Sequence, residues 1–508
     1  MPAGLRSRAR LPPNMNLLWI MTDQLQADCL GFMGHPLAQT PNLDRLAASS
    51  VVFDNAFCQS PVCMASRAVL FTGRYPATIG VRGMGILPPT ETTLPEVLQR
   101  YGYRTGAFGK VHLTPELYTC HQLKSDVPTL DLRRFAKDSL IAPITDDPYK
   151  QNYGFQVHEG YEDCLKGRFF DWLKQRAPEL VDAKPVSFSP EGPGDLYVSP
   201  YPSELHPSTF IASRANDFIR NQQNASPWFT FCSFVAPHHP FEAPADQIAR
   251  YAAESIPLPQ SKGGVEARFI PAPASTAIGE ALRFSEAIRR RIVHHYLASI
   301  SLIDDAVGSL VATLEATGQL ENTLIMFTGD HGEFLGNHDL LRKPSLHYDE
   351  VLHVPLLLHL PGGQTAPRHE AGLVELADVC PTLLGLLNVK QPAGIQGIDW
   401  SQPLRESGMI GREEIYADMF DMEPMLCGQR SGPYMAVQTL RTAHWKLNIY
   451  PTASHEHGQL FNLADDPDES RNRYDDPACR SIREEMLWRL LRRNHLNTDP
   501  LPPWLTQY

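Results

Sequence analysis

The chain has 508 residues, a size at which a single hydrophobic core has usually stopped growing, so one large and one smaller domain are expected. Hydrophobic residues make up 43% and charged residues 20%, the composition of a soluble globular protein. The formal net charge is -12, whereas nucleic-acid-binding proteins need a basic face to neutralise phosphates. We therefore expect no nucleic-acid partner, although a small anionic ligand in a locally basic cleft is compatible with this charge.

The nine cysteines lie between Cys29 and Cys479 without a CxxC pair or regular spacing, so neither a zinc site nor a disulfide framework is predicted. This usage fits a reducing compartment, and we expect a cytoplasmic protein. Residues 1–14 are basic but no apolar stretch of signal-peptide length follows them, which predicts a disordered tail. No later segment is predicted to span a bilayer, so no membrane partner is expected.

Short apolar runs that end in polar loops alternate with helical patterns, which predicts an α/β sheet with functional groups at its strand ends. In the first part of the chain, the pattern predicts strands at 17–21 and 103–108 and helices at 41–47 and 93–100. The first strand runs directly into Asp23-Gln24, and the second is followed by Gly109-Lys110-Val111-His112.

Residues 115–207 contain many Pro, Asp and Tyr residues and little periodicity, which predicts a loop-rich insertion that serves as a substrate lid. The regular pattern then resumes with strands at 228–235, 323–328 and 354–360 and helices at 285–317 and 376–387. Beyond about residue 400 it changes to short strands such as 440–450. We therefore predict a large domain over residues 15–410 and a smaller C-terminal α+β domain over residues 411–508.

Three predicted strand ends carry acids, amides or imidazoles: Asp23-Gln24, His238-His239 and Asp330-His331. Ligands and catalytic groups in open α/β sheets gather at the carboxyl ends of strands, so these dipeptides are expected to converge. Two carboxylates, an amide and an imidazole favour a hard cation, Ca²⁺, Mg²⁺ or Mn²⁺, over zinc. The competing interpretation, that each acid only caps a turn, is weakened by their joint occurrence.

The segment Cys63-Met64-Ala65-Ser66-Arg67, taken alone, is compatible with a small buried thiol at a helix start and a salt-bridged arginine. In its context it resembles the Cys-x-Pro/Ala-x-Arg signature of type I sulfatases in the alkaline phosphatase superfamily, with Ala65 where most members have Pro. Further elements with the same resemblance follow in order: Thr40-Pro41-Asn42-Leu43-Asp44-Arg45-Leu46, Gly109-Lys110-Val111-His112, Pro237-His238-His239-Pro240-Phe241, Thr328-Gly329-Asp330-His331-Gly332 and Leu460-Phe461-Asn462-Leu463.

This resemblance implies an alkaline phosphatase-like fold, with a large mixed sheet flanked by helices, and a sulfuric ester hydrolase that acts through a covalent sulfo-enzyme intermediate. It implies that a formylglycine-generating enzyme oxidises Cys63 to Cα-formylglycine, whose hydrate attacks the sulfate ester and can later expel sulfate by C–O cleavage. Gln24 and His331 replace the family's commoner Asp and Asn. These replacements resemble the branch of phosphonate monoester hydrolases and dimeric bacterial arylsulfatases, so a homodimer or homotetramer is expected.

The resemblance also assigns a role to each candidate residue. One divalent cation is held by Asp23, Gln24, Asp330, His331 and the modified Cys63. Arg67 and Lys110 hold the diol and the anionic oxygens, and His112 is the base that collapses the intermediate. His238 and Lys343 act as general acids on the leaving oxygen.

Several alternatives stay open on sequence alone. The main competing function is a phosphonate monoester or phosphodiester hydrolase with the same nucleophile, and Lys110 with His112 favours the sulfatase. A dead homologue would lack a nucleophile, base or ligand, and none is missing here. A two-zinc phosphatase would need a second His-rich ligand set. His294 and His295 are assigned to the long helix, His239 to packing beside the site, and His347 is a candidate for the site wall.

Overall fold

The computed structural model describes residues 15–114, 153–160, 168–187, 196–222, 226–259, 279–363, 366–421, 435–453 and 457–498, with 262–263, 265–266, 270 and 277. The predicted disordered tail, residues 1–14, lies outside these residues. Three parts of the predicted insertion, 115–152, 161–167 and 188–195, also lie outside them.

Strands and helices alternate along the first four hundred residues, and strands dominate after them. The strands are β1 (Asn16–Thr22), β2 (Val51–Phe57), β3 (Arg104–Gly109), β4 (Val157–Gly160), β5 (Val186–Ser187), β6 (Leu196–Val198), β7 (Trp228–Phe234), β8 (Phe241–Ala243), β9 (Thr323–Gly329), β10 (His353–Val354), β11 (Leu356–His359), β12 (Arg368–Glu375), β13 (Glu414–Asp421), β14 (Met435–Thr442), β15 (Trp445–Ile449) and β16 (Gly458–Asn462). The helices are α1 (Pro41–Ala47), α2 (Cys63–Thr72), α3 (Pro76–Ile79), α4 (Leu94–Arg100), α5 (Arg168–Arg176), α6 (Pro207–Arg220), α7 (Ala245–Ile248), α8 (Glu286–Ala316), α9 (Asp349–Leu352), α10 (Val379–Leu386), α11 (Ser401–Glu406) and α12 (Arg480–Leu496).

The main sheet has nine strands in the order β10-β2-β11-β9-β1-β7-β3-β4, with β12 paired to β2. Strand β1 lies between β7 and β9 and is parallel to both, so that Thr22 is level with Phe234 and Gly329. Strand β3 is parallel to β7, with Gly109 level with Ser233. Four neighbouring parallel strands therefore end at one edge, and the residues that follow them meet there.

Both faces of this sheet are covered. Alternate residues of the central strands point to opposite sides, and each side packs into its own core cluster. Leu17 and Trp19 of β1 belong to the core cluster that contains Leu70 of α2. Leu18 belongs to the second cluster, with Ile300 of the long helix α8 on the other face. The continuous burial of β1 follows from this arrangement, since a strand covered on both faces has no solvent side.

The predicted fold class is confirmed: the sheet is mixed and flanked by helices. The predicted strand 354–360 is divided into β10 and β11 around Pro355, because proline has no N–H for the strand ladder. Strand β11 runs antiparallel to β9 and β2, which makes the sheet mixed rather than fully parallel.

The C-terminal residues form a four-stranded antiparallel sheet in the order β13-β14-β15-β16. The prediction of one strand over 440–450 is wrong, because that segment contains the end of β14, a turn and β15. In the turn, the Thr442 hydroxyl accepts hydrogen bonds from the backbone N–H groups of His444 and Trp445. Such local side-chain bonds compete with a continuous strand and produce a hairpin.

The described parts of residues 115–207 are more regular than the sequence pattern predicts. Strand β4 extends the main sheet by pairing in parallel with β3, and helix α5 follows it. Strands β5 and β6 form a small three-stranded sheet with β8. The domain boundary at residue 410 stays a prediction.

Helix α8 corrects one expectation, since its 31 residues are by length and composition sufficient to cross a membrane. However, 72% of the most apolar 18-residue stretch of this helix is buried inside the fold. That burial is expected of a helix that covers one face of a large sheet, where apolar residues surround most of the helix.

Candidate active site

The ends of β1 and β9 bring two predicted dipeptides together. Asp23 and Asp330 follow strands that are paired in register, and both side chains are fully buried. With Cys63 and His331 they form a buried group whose candidate ligand atoms all lie within 4.8 Å of one another. The backbone N–H groups of Gln24 and His331 each donate to Asp330 Oδ1, at 2.9 Å. The four residues therefore form one preorganised cluster at the carboxyl edge of the sheet.

Gln24 completes a donor set that fits a divalent cation. Its Oε1 atom is buried and has no hydrogen-bond partner among the described residues, whereas its Nε2 donates to Glu333 and to His239 Nδ1, the latter at 3.2 Å. A buried acceptor without a partner is costly unless a cation or water satisfies it. The backbone of Gln24 has a φ of 60°, a left-handed conformation that is uncommon outside functional positions for a non-glycine residue.

Cys63 is the first residue of α2 and lies inside the cluster. Its Sγ is 3.6 Å from Asp23 Oδ1, 3.3 Å from His331 Nε2 and 3.0 Å from Lys343 Nζ. Burial and the nearby charge of Asp23 raise the pKa of the thiol to about 11. The unmodified thiol marks the position of the oxygens that the proposed formylglycine hydrate would carry.

Two fully buried cations hold the two carboxylates. Arg67 Nε is 2.8 Å from Asp330 Oδ2, and its Nη2 is 3.2 Å from Asp23 Oδ2. Lys110 Nζ is 2.9 Å from the same Asp23 oxygen. Burial alone would raise the pKa of Asp23, but the positive charges of Lys110 and Arg67 outweigh it and hold that pKa well below its usual value. Asp23 is therefore ionised and available as a ligand.

Lys343 approaches the cluster from the loop after β9. Its Nζ lies 3.0 Å from His331 Nε2, the same distance as from Cys63 Sγ. Burial followed by the charge of Lys343 lowers the pKa of His331 to about 4, so its imidazole is neutral. A neutral imidazole is the form that binds metals.

The other two predicted histidines are also buried near these charges. Burial, followed by the charges of Lys110 and Arg67, lowers the pKa of His112 well below its usual value. Burial, followed by the charge of Lys343, does the same for His238. The His238 ring stacks on His239 with a centroid separation of 4.1 Å, and its Nδ1 donates to the His239 carbonyl. Both rings are therefore neutral near pH 7.

The turn after β3 explains the glycine before Lys110. Gly109 has a φ of +91°, and a Cβ there would lie 1.9 Å from the carbonyl oxygen of Ser233. No other residue fits this close approach of β3 to β7. His112, with a φ of 52°, makes a second left-handed turn that returns its ring towards the cluster's charges.

Three further histidines singled out in the sequence lie outside the cluster. His294 and His295 are in α8, where their rings hydrogen bond to the carbonyl oxygens of Ile248 and Tyr197 at 2.9 and 2.8 Å. His347 was a candidate for the site wall, but its Nδ1 bonds to Thr439 Oγ1 of β14 at 2.7 Å. His347 therefore belongs to the contact between the main domain and the C-terminal sheet. The sequence did not predict this contact.

Two residues that sequence reasoning missed support the cluster. Ser233 Oγ accepts a hydrogen bond from Arg67 Nη1 at 3.0 Å, and Glu333 accepts one from the Gln24 amide. Ser233 lies on β7 three residues before a polar loop, and Glu333 follows Asp330-His331-Gly332 directly. The proximity of Glu333 to a predicted ligand pair was the signal that could have indicated it.

Comparisons with known proteins agree with this geometry. The family model described as Sulfatase matches residues 15–389, and the model described as N-sulphoglucosamine sulphohydrolase, C-terminal, matches residues 336–495. The chain is 28% identical over 418 residues to an arylsulfatase of Clostridium perfringens, covering 79% of this chain and 81% of that protein. It is also 28% identical to the multifunctional alkaline phosphatase superfamily protein PehA of Trinickia caryophylli, covering 94% of this chain and 95% of that protein.

Among solved structures, the phosphonate monoester hydrolase of Agrobacterium radiobacter superimposes with a TM-score of 0.76 at 24% identity, covering 96% of both chains. That likeness concerns the fold. The Sulfatase model covers well over half of the chain, including the cysteine, the two strand-end acids and the lysine elements. The chain therefore belongs to the sulfatase family of the alkaline phosphatase superfamily, the enzyme class predicted from its sequence.

Proposed function

We propose that the protein hydrolyses sulfate monoesters with a formylglycine derived from Cys63 and one divalent cation held by Asp23, Gln24, Asp330 and His331. The observation that carries this proposal is the burial of Cys63 between a complete oxygen-rich ligand set and the ammonium groups of Lys110 and Lys343. The carboxylate, amide and imidazole donors suit a divalent cation, and the buried ammonium groups suit an anionic ester.

A hydrated formylglycine at position 63 would supply a nucleophilic hydroxyl, and a divalent cation held by the four ligands would supply a Lewis acid. The chain's own residues bind and orient the substrate. Lys110, Arg67 and Lys343 place their charges around the position of Cys63 Sγ, where the sulfuryl oxygens would be bound. The N-terminus of α2, at Cys63, adds backbone dipoles that favour negative charge.

The histidines hold and move protons. His112 is neutral because burial and its cationic neighbours lower its pKa, so it would be the base that takes a proton from the hydroxyl at position 63. His238 donates through Nδ1 to a carbonyl, which leaves Nε2 to take up a proton. The negative charge of an arriving substrate favours that protonated ring, and His238 with Lys343 then protonates or polarises the leaving oxygen.

A phosphonate monoester or phosphodiester hydrolase is the competing function. Gln24 and His331 in the ligand set favour it, as does the fold shared with phosphonate monoester hydrolases. Lys110 and His112 favour the sulfatase, since a buried ammonium and a neutral imidazole together serve sulfate transfer and collapse of the intermediate. We expect phosphonate and diester turnover as a weaker side activity.

The test of this preference is a kinetic panel of 4-nitrophenyl sulfate, 4-nitrophenyl phenylphosphonate and bis-4-nitrophenyl phosphate. We expect the highest kcat/KM for the sulfate ester, because all three substrates share one leaving group and differ in the transferred group. A higher kcat/KM for the phosphonate ester would establish the competing function. Mass spectrometry of the tryptic peptide that ends at Arg67 tests the modification, and a fully active enzyme with unmodified Cys63 would contradict the mechanism.

Location and partners stay proposals. The six cysteines in the described part of the chain are all free, which supports a reducing compartment and our proposal of a cytoplasmic enzyme. We propose that a formylglycine-generating enzyme matures it there and that it forms a homodimer or homotetramer. Light scattering coupled to size exclusion measures the oligomeric state.

A further inference from the structure

We propose that Glu333 is a positioning residue that orients the Gln24 amide, so that its oxygen and not its nitrogen faces the cation. This inference rests on the proposed function, because it concerns the cation site described there. Gln24 and Glu333 are both fully buried, and 309 residues of sequence separate them.

The two ends of a glutamine amide have nearly the same shape, so hydrogen-bond partners decide which end points where. The nitrogen of Gln24 meets two acceptors, a Glu333 carboxylate oxygen and His239 Nδ1. Its oxygen, on the other side of the amide, is buried and meets no hydrogen-bond partner in the part of the chain that the structure describes. A flipped amide would oppose its oxygen to the Glu333 carboxylate, which is unfavourable for both groups.

Glu333 is itself held by donors from the loop that carries Lys343. Its Oε1 accepts from the backbone N–H of Leu335 at 2.9 Å and from that of Arg342. A carboxylate only accepts hydrogen bonds, so these donors fix one oxygen and leave Oε2 for the Gln24 amide. The same side chain thus joins a candidate cation ligand to the residue directly before Lys343.

The substitution Glu333→Gln tests this role with almost no change in shape. The new amide must turn its oxygen towards the N–H groups of Leu335 and Arg342, which directs its NH₂ at the Gln24 nitrogen. Two donors cannot face each other, so the Gln24 amide is expected to flip and present N–H groups to the cation. Loss of an orienting partner typically costs about 10- to 100-fold in metal affinity.

The exchange variant Gln24→Glu/Glu333→Gln separates orientation from folding. Its carboxylate at position 24 accepts from the new amide at position 333 and still offers an oxygen to the cation. We therefore expect it to recover at least about tenfold of the lost affinity. The single variant Gln24→Glu opposes two buried carboxylates, and we expect it to bind more weakly than the exchange variant at neutral pH.

The measurement is calorimetric titration of Mn²⁺ into chelator-treated protein, with the thermal midpoint of the metal-free protein recorded for each variant. The matched control is Glu350→Gln, a buried glutamate bonded to Lys262 and His338 outside this site. We expect it to lower the thermal midpoint without changing Mn²⁺ affinity. Affinity and stability are then independent readouts.

The outcomes distinguish this inference from the proposed function. If the wild-type protein binds no Mn²⁺, the cation site is wrong and the positioning role is overturned with it. If the wild type and Glu333→Gln bind Mn²⁺ equally, only the positioning role is overturned. If Glu333→Gln binds Mn²⁺ weakly and the exchange variant binds it no better, Glu333 stabilises the loop that carries Lys343 and does not orient the amide. This result also overturns the positioning role. If Glu333→Gln fails to fold, the Mn²⁺ affinities of the exchange variant and of Gln24→Glu are compared. Tighter binding by the exchange variant supports the positioning role, and equal binding overturns it.

Discussion

Replacing Lys110 by methionine tests whether its charge acts on the group being transferred. The Lys110 side chain is fully buried, with Nζ 2.9 Å from Asp23 Oδ2, and methionine has a similar length without charge. Loss of one preorganised donor to developing negative charge costs about 10²- to 10³-fold in kcat, or roughly 2.7–4 kcal/mol. Two charges about 4 Å apart at an effective dielectric of about 20 interact by about 4 kcal/mol. The two magnitudes agree, so we expect Lys110→Met to lower kcat/KM by at least about 10²-fold.

The assay is kcat/KM for 4-nitrophenyl sulfate at saturating cation, with the metal content of each variant measured in parallel. Lys446→Met is the matched control, because Lys446 is equally buried and its Nζ is 2.8 Å from Asp349 Oδ1 in the contact with the C-terminal sheet. This control should have lower thermal stability than wild type, and the folded variant should keep kcat/KM within a few-fold of the wild-type value. A Lys110→Met enzyme that retains kcat/KM within tenfold of wild type would refute the assigned role.

Three further predictions concern the ligand set, the nucleophile and stability. Asp330→Ala should remove both bound metal and turnover, and stoichiometric metal in that variant would place the ligands elsewhere. Cys63→Ala should abolish turnover while the thermal midpoint changes little, and measurable first-turnover activity would contradict a nucleophile at this position. Burial alone would raise the pKa of Glu350, but His338 and Lys262 outweigh it and lower the pKa from 4.5 to about 2. Its stabilisation, on the order of 3 kcal/mol, is therefore present above pH 4.5 and lost towards pH 2. In urea denaturation, the stability difference between wild type and Glu350→Gln should shrink between pH 4.5 and pH 2. A constant difference would contradict the stabilising contacts of Glu350 with His338 and Lys262.

Several features of the fold were beyond sequence reasoning because they depend on pairing between distant segments. The direction of β11 is decided by its neighbours β2 and β9, and an apolar run reads the same in either direction. The sequence makes His347 a candidate for the site wall, but its Nδ1 donates a hydrogen bond to Thr439 Oγ1 of the C-terminal sheet. The apolar length of α8 is explained only by the sheet it covers.

The sequence by itself indicated which groups are the candidates for the chemistry, because each is carried by a short local motif. Cys63 begins a helix, and Asp23, Lys110 and Asp330 each directly follow a strand end, positions that apolar runs and turn residues reveal locally. Only the tertiary structure decided how those groups are oriented. The Gln24 amide is turned by a carboxylate 309 residues away, and the charge of Asp23 is maintained by cations from two other elements. Hydrogen bonds and charges in a buried site depend on distance in space, which no local pattern encodes.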